Sequence, residues 1–161
     1  HCVTPAPNTR HQIVVGNLYF ALRSVVQEND LGQIFLAPYD VVLSDTDVVE
    51  PDLLFVSRER LDLLTEKNLR GAPDLVVEVV SESSRRMDEV VKRKLYERFG
   101  VREYQVVDPV VETVKVYRLN NDRYERAAEL SREDADRLTS PLLPGLDLPL
   151  EQLFVGTPLL R

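Results

Sequence analysis

Apolar positions at 11, 15, 18, 22 and 25 recur at spacings of four and three, so His11, Val15, Leu18, Leu22 and Val25 form one stripe. That stripe predicts a helix over 10–28, with Asn8 or Thr9 as its cap. After Gly32 the period shortens. QIFLAP and DVVLS are short, β-rich runs with a bend at Pro38 and Asp40, and EPDLLFVS (50–57) and APDLVVEVVS (72–81) are near-continuous apolar runs. The last two predict strands covered on both faces, separated by a polar, mainly helical segment around 58–69. A second helix is expected from Ser83 or Ser84 to Phe99, its apolar set Met87, Val91, Leu95 and Phe99 facing the core and Gly100 ending it. EYQVVDP reads as the next strand. VETVKVYRL and RYERAAEL read as a hairpin across Asn120, Asn121 and Asp122, and the proline-rich tail from Leu138 reads as loop with a short helix near Leu150–Phe154.

This order predicts one mixed α/β domain over 1–161, a sheet flanked by helices with a C-terminal β-hairpin extension. Periodicity leaves the strand order open. The chain starts with His, which raises the expectation that a natural N-terminal segment precedes it.

Two of the buried runs carry acids. Asp52 opens the first and Glu78 sits inside the second, where an ionised side chain is costly unless a cation meets it. Alternation puts Asp74, Val76, Glu78 and Val80 on one face. If the two strands are neighbours, Asp52 and Glu78 reach a common ion; taken singly, acids at strand ends serve more often as turn or capping groups. The second helix carries Asp88, Lys92 and Tyr96 at four-residue spacing, along one ridge. Lys94 lies on the opposite margin of the same apolar face, and spacing does not choose between the two lysines. An intrahelical Asp88–Lys92 pair accounts for the pattern equally well.

The formal net charge of −7 argues against broad binding of polyanions, which depends on Lys and Arg neutralising phosphates. Basic residues are dense in one stretch: Arg85, Arg86, Lys92, Arg93, Lys94, Arg98 and Arg102. They make either a solvated helix face or a patch for a polyanion. Cys2 is the lone cysteine, which excludes an internal disulfide and gives no zinc-ligand spacing. No run approaches the roughly 20 apolar residues of a membrane span, and no signal-peptide pattern opens the chain, so a cytoplasmic setting without a membrane is expected.

The succession PDLLFV, PDLVVEVVS, SSRRMDEVVKRKLY and GVREYQVVDP resembles the Uma2 family of restriction-endonuclease-like proteins, within the PD-(D/E)XK nuclease superfamily, over roughly residues 5–120. The resemblance implies a core of helix, three strands, helix and strand. It also implies a metal held by Asp52 and Glu78, and a lysine that assists the attacking water. The superfamily position for that lysine, two after the second acid, is Val80 here; Uma2-type proteins supply it from the next helix, which favours Lys92 over Lys94. His11 matches a histidine at the start of the first helix in such proteins, where it either lines the site or closes the apolar stripe. Gln105 departs from the aromatic residue the family places in EYW.

The reading that follows is Mg²⁺- or Mn²⁺-dependent hydrolysis of DNA phosphodiesters. Asp52, Glu78 and a main-chain carbonyl at Val79 hold the ion, Lys92 is catalytic, and His11, Asp74, Asp88 and Tyr96 surround them. A homodimer is expected by analogy, since edge strands need cover. The alternatives are a non-catalytic nuclease-fold binding or assembly module and a hydrolase of smaller phosphate esters.

Overall fold

The computed structural model describes residues 7–157. Cys2 lies outside them. The two apolar runs that carry Asp52 and Glu78 become neighbours in the middle of a six-stranded sheet, where cover on both faces demands apolar residues at consecutive positions. In chain order the elements are α1 (Thr9–Glu28), β1 (Gly32–Leu36), β2 (Val41–Val42), β3 (Val48–Val49) and β4 (Leu53–Ser57). A 3₁₀ turn (Arg58–Leu63), β5 (Leu69–Arg70) and β6 (Leu75–Val79) follow. A π-helical turn (Met87–Lys92) runs into α2 (Arg93–Arg98), and then come β7 (Glu103–Asp108), β8 (Thr113–Asn120), β9 (Arg123–Ser131), β10 (Arg137–Leu138), β11 (Leu148–Pro149) and α3 (Leu150–Leu153).

The main sheet has the order β1-β4-β6-β7-β8-β9. Within this sheet only β6 and β7 run parallel, and the helix between them is the crossover such a pair requires. Strands β2, β3 and β5 form a small separate sheet. The hairpin closes where it was expected: Asn121 and Asp122 both take positive φ, the conformation a tight two-residue hairpin turn needs.

Helix α1 covers one face of the sheet. Asn8 caps it, its side-chain oxygen accepting from the His11 amide at 2.8 Å. The buried ridge is Val14, Leu18, Leu22 and Val26, so the stripe is centred one position away from the predicted one, with Val15 and Val25 at its flanks. On the other face Leu54, Val56, Val76, Val80, Tyr104, Val106 and Tyr117 pack with Tyr96 of α2.

Two local expectations change. The segment 58–69 holds only a 3₁₀ turn, because Thr65 takes up the backbone beyond it: its hydroxyl donates to the Asn68 carbonyl and accepts from the Asn68 amide, a local alternative to helix. The second helix also turns a different face inward. Met87 and Val91 are 49% and 48% exposed, while Asp88 and Tyr96 are buried. Glu78 lies beneath this turn, and a buried carboxylate requires polar and cationic partners more than apolar ones. The π-helical winding, a feature common at functional sites, brings Asp88 and Lys92 over it.

A candidate active site at the end of the central strands

The antiparallel register of β4 and β6 pairs Leu53 with Val77 and Leu54 with Val76. One step further along, Asp52 and Glu78 face each other where the ladder stops. Each acid is held by the other's strand: the Asp52 amide donates to Glu78 Oε1 at 3.0 Å, and the Val79 amide donates to Asp52 Oδ2 at 2.8 Å. These bonds replace the missing rungs of the ladder and fix both carboxylates relative to the sheet. The Glu78 side chain is 2% exposed and that of Asp52 is 21% exposed, so one acid is buried and the other opens to solvent.

The π-helical turn supplies the cation. Lys92 Nζ lies 2.8 Å from Glu78 Oε2 and 3.1 Å from Asp88 Oδ1. The Tyr96 hydroxyl donates to Glu78 Oε2 at 3.2 Å, and the Tyr104 hydroxyl donates to the Asp88 carbonyl at 2.7 Å, tying the turn to β7. From α1, His11 Nε2 approaches Asp52 Oδ2 at 3.2 Å. Asn8, His11, Asp52, Glu78, Asp88 and Lys92 share the wall of one open pocket of about 370 Å³.

Three carboxylates thus answer one lysine and one histidine. Burial pushes the Glu78 carboxyl up to about 7; the Lys92 charge opposes this, and the Asp52 and Asp88 charges add to it. Burial pulls the Lys92 ammonium down, but Glu78 and Asp88 more than offset that and hold it above its ordinary value. The hydrogen bond to Asp52 raises His11, against burial. Burial, reinforced by the Glu78 charge, raises Tyr96 so far that it remains a donor.

The chain therefore brings together Asp52, Glu78, Val79, Asp88, Lys92, Tyr96 and His11. Two expected residues stand elsewhere. Asp74 shares a face with Glu78 but lies at the opposite end of β6, about 13 Å away at the rise of a strand. There it accepts from the Ser57 amide at 2.7 Å, with Arg60 and Arg102 at 3.4 and 3.7 Å. Lys94 is exposed on α2 and lines a different cleft. Several residues of the pocket and its support are not among the expected ones, Glu50, Ser84 and Tyr104 among them. Glu50 precedes Asp52 by two and lines the pocket, as does Ser84, which bonds back to Ser81. Tyr104 acts from beneath the turn. The acid two before Asp52 and the Ser-x-x-Ser spacing were visible signals; a buried tyrosine on a strand was not.

Helix, antiparallel strands, helical crossover and parallel strand, with acids at the strand ends, define the class: a restriction-endonuclease-like nuclease fold. Two solved structures share it. One is described as a "putative nuclease belonging to DUF820" from Anabaena variabilis ATCC 29413, with a TM-score of 0.76 and 20% identity over 95% of this chain and 84% of that one. The other is the type IIG restriction endonuclease BpuSI, with a TM-score of 0.50 and 13% identity; the match covers 98% of this chain and 18% of that one. The model of the Uma2 family, "Putative restriction endonuclease", matches residues 2–151, and the chain belongs to that family. No curated protein matches it. Among the described residues no helix is long and apolar enough to cross a membrane.

Proposed function

We propose that the chain is a divalent-metal-dependent nuclease that hydrolyses DNA phosphodiester bonds in the cytoplasm, with Asp52, Glu78 and Lys92 as its catalytic residues. The observation that carries this reading is the meeting of a buried glutamate, a solvent-open aspartate and a lysine 2.8 Å from the glutamate. The donor chemistry fits a hard cation. Asp52 and Glu78 present carboxylate oxygens in a pocket where, with Asp88, three carboxylates gather around Lys92 and His11 and leave a surplus of negative charge. Among the described residues no three His, Cys, Asp or Glu side chains gather to enclose an ion. Mg²⁺ keeps several waters and takes one or two carboxylates, a number that Asp52 and Glu78 supply. Asp52, Glu78 and the main-chain carbonyl of Val79 would hold Mg²⁺ or Mn²⁺. Such an ion polarises a phosphoryl oxygen and lowers the pKa of a water.

The chain's own groups do the rest. Lys92 stays an ammonium, so it serves as an electrostatic stabiliser of charge developing on the phosphate rather than as a base. Glu78 and Asp88 orient it from two sides. Tyr96 holds the Glu78 carboxylate at the angle that faces Asp52, and His11 orients Asp52 from the far side. A second copy pairing at an exposed sheet edge, β1 or β9, would present two such sites to the two strands of a duplex.

The test is cleavage of supercoiled plasmid, linear duplex and single-stranded DNA in Mg²⁺, Mn²⁺ or chelator, with Asp52→Ala and Glu78→Ala run beside the parent. Metal-dependent cutting lost in both variants supports the reading; cutting that survives them sinks the site. The formal net charge of −7 favours one rival, a nuclease-fold binding or assembly module. A folded parent that cuts nothing under any of these conditions moves the assignment to that rival.

A further inference from the structure

The basic stretch around α2 is only partly consumed by acids. Arg85 pairs with Asp108 and Glu89, Lys92 with Glu78 and Asp88, Arg98 with Asp47, and Arg102 with Asp74. Arg93 and Lys94 turn toward the β8–β9 hairpin instead. The Arg93 guanidinium lies 5.3 Å from the centre of the Tyr117 ring, and Arg126 reaches the same ring from β9 at 5.9 Å. With Lys94, Glu97 and Tyr124 they line a cleft between α2 and the hairpin. The nearby acids are engaged: Glu97 accepts from the Tyr124 amide at 2.6 Å, and Glu129 pairs with Arg126 at 3.0 Å on an exposed surface. Set against Glu97 and Glu129, the three cations leave the cleft with one net positive charge, in a chain with seven more acidic than basic charges. Arg93 and Arg126 meet over one ring, and an incoming anion relieves the repulsion between them.

The cleft also shares a sheet face with the carboxylate pocket. Tyr117 lies beside Tyr104 at 6.3 Å between ring centres, and Tyr104 beside Tyr96 at 5.0 Å, whose hydroxyl donates to Glu78. Both features therefore sit on the sheet face that α2 covers, within roughly 20 Å of each other at the spacing of neighbouring strands. A nucleic-acid strand, with a phosphate about every 3.4 Å of helix axis, spans that interval within a few nucleotides.

We infer that the Arg93–Lys94–Arg126 cleft is a docking subsite for the phosphate backbone of a nucleic acid, at a distance from the bond that is cut. The inference rests on the nuclease reading and names where its substrate is gripped. Guanidinium groups match phosphate oxygens two at a time, and Arg93 is already held in place by Tyr117, so it loses little side-chain freedom on binding. The grip is indifferent to sequence, because it touches no base edge.

The experiment is fluorescence anisotropy of a labelled duplex oligonucleotide with the full chain in chelator, across a salt series. The parent is compared with Lys94→Glu and with the double variant Arg93→Gln, Arg126→Gln. The dissociation constant is expected to rise about tenfold or more in each, and the slope of log affinity against log salt to shrink by about one for each phosphate no longer neutralised. Lys94 is exposed, so Lys94→Glu is expected to keep the fold, and a thermal melt matching the parent's separates lost binding from unfolding. A parent that binds DNA, with variants equal to it in affinity and slope, overturns the subsite and leaves the nuclease reading standing. Variants that lose polyglutamate binding but not DNA binding also overturn it, in favour of an acidic protein partner. A parent that neither binds nor cuts nucleic acid overturns both.

Discussion

Asp74 and Glu78 bracket β6 on one face of the sheet and are equally hidden, at 1% and 2% exposure. Their surroundings differ in kind. Asp74 is closed in by a backbone amide and two arginines that reach over it from the surface. Glu78 is met by one lysine and two further acids beside an open pocket. Glu103, at the Asp74 end of β7, repeats the first pattern with Arg118, Gln105 and Ser140. Burial of a carboxylate therefore does not mark a reactive site. Net charge left over after pairing, next to open space, is what sets the proposed site apart.

The largest contrast is expected in activity. Glu78→Gln should lower plasmid cutting at least about 100-fold, since the amide is a poor ligand for a hard cation, whereas Asp74→Asn should retain cutting per folded molecule. Equal losses in the two would erase the distinction between the ends of the strand. Lys92→Met comes next, because it strips the cation from two buried acids. About 3 kcal/mol of stability should be lost, the lower end of the range for a broken buried pair, since Lys92 is 29% exposed. Chemical denaturation reads this directly, and adding Glu78→Gln to Lys92→Met should recover part of it; a double variant no more stable than Lys92→Met would argue against the pair.

The pH response follows from Glu78. Its carboxyl holds a proton up to about 7 in the folded chain, against 4.5 ordinarily. The folded state thus binds more protons between those values, so the metal-free protein should lose stability as pH rises through the window, by about 3 kcal/mol in all. Denaturation in chelator at several pH values should show that slope in the parent and a flatter one in Glu78→Gln. The smallest effect belongs to Arg58 and Asp30, near the Asp74 end. Their 2.6 Å ion pair is shorter than the Lys92–Glu78 contact, yet 60% and 79% of the side chains are exposed. Arg58→Ala should change stability by under about 0.5 kcal/mol, which thermal melting would resolve from the larger losses.

Much of the architecture was legible because it depends on local pattern. The α1 stripe, the two doubly covered strands, the turn at Asn121–Asp122 and the stop at Gly100 each follow from spacing or from a residue's backbone preference. Asp52 and Glu78 were recognisable as polar residues in apolar runs. What spacing could not supply was which end of a strand meets which element. Asp74 and Glu78 have the same parity, and only the paths of α1 and the π-helical turn decide that the pocket opens at Glu78. The inward face of the second helix departs from its apolar spacing for a related reason. Spacing points Met87 and Val91 at the core, but the carboxylate beneath the helix draws Asp88 and Lys92 inward and leaves those two outside.

The exchange of amide bonds between Asp52 and Glu78 gives both acids a mechanical duty, since they act as the clasp that fastens two strand tips beyond the last rung. A chain of this fold that cut nothing would still need the clasp. Selection for a well-sealed sheet would preserve the pair whether or not the site turns over, and with it the lysine whose charge the buried Glu78 and Asp88 require.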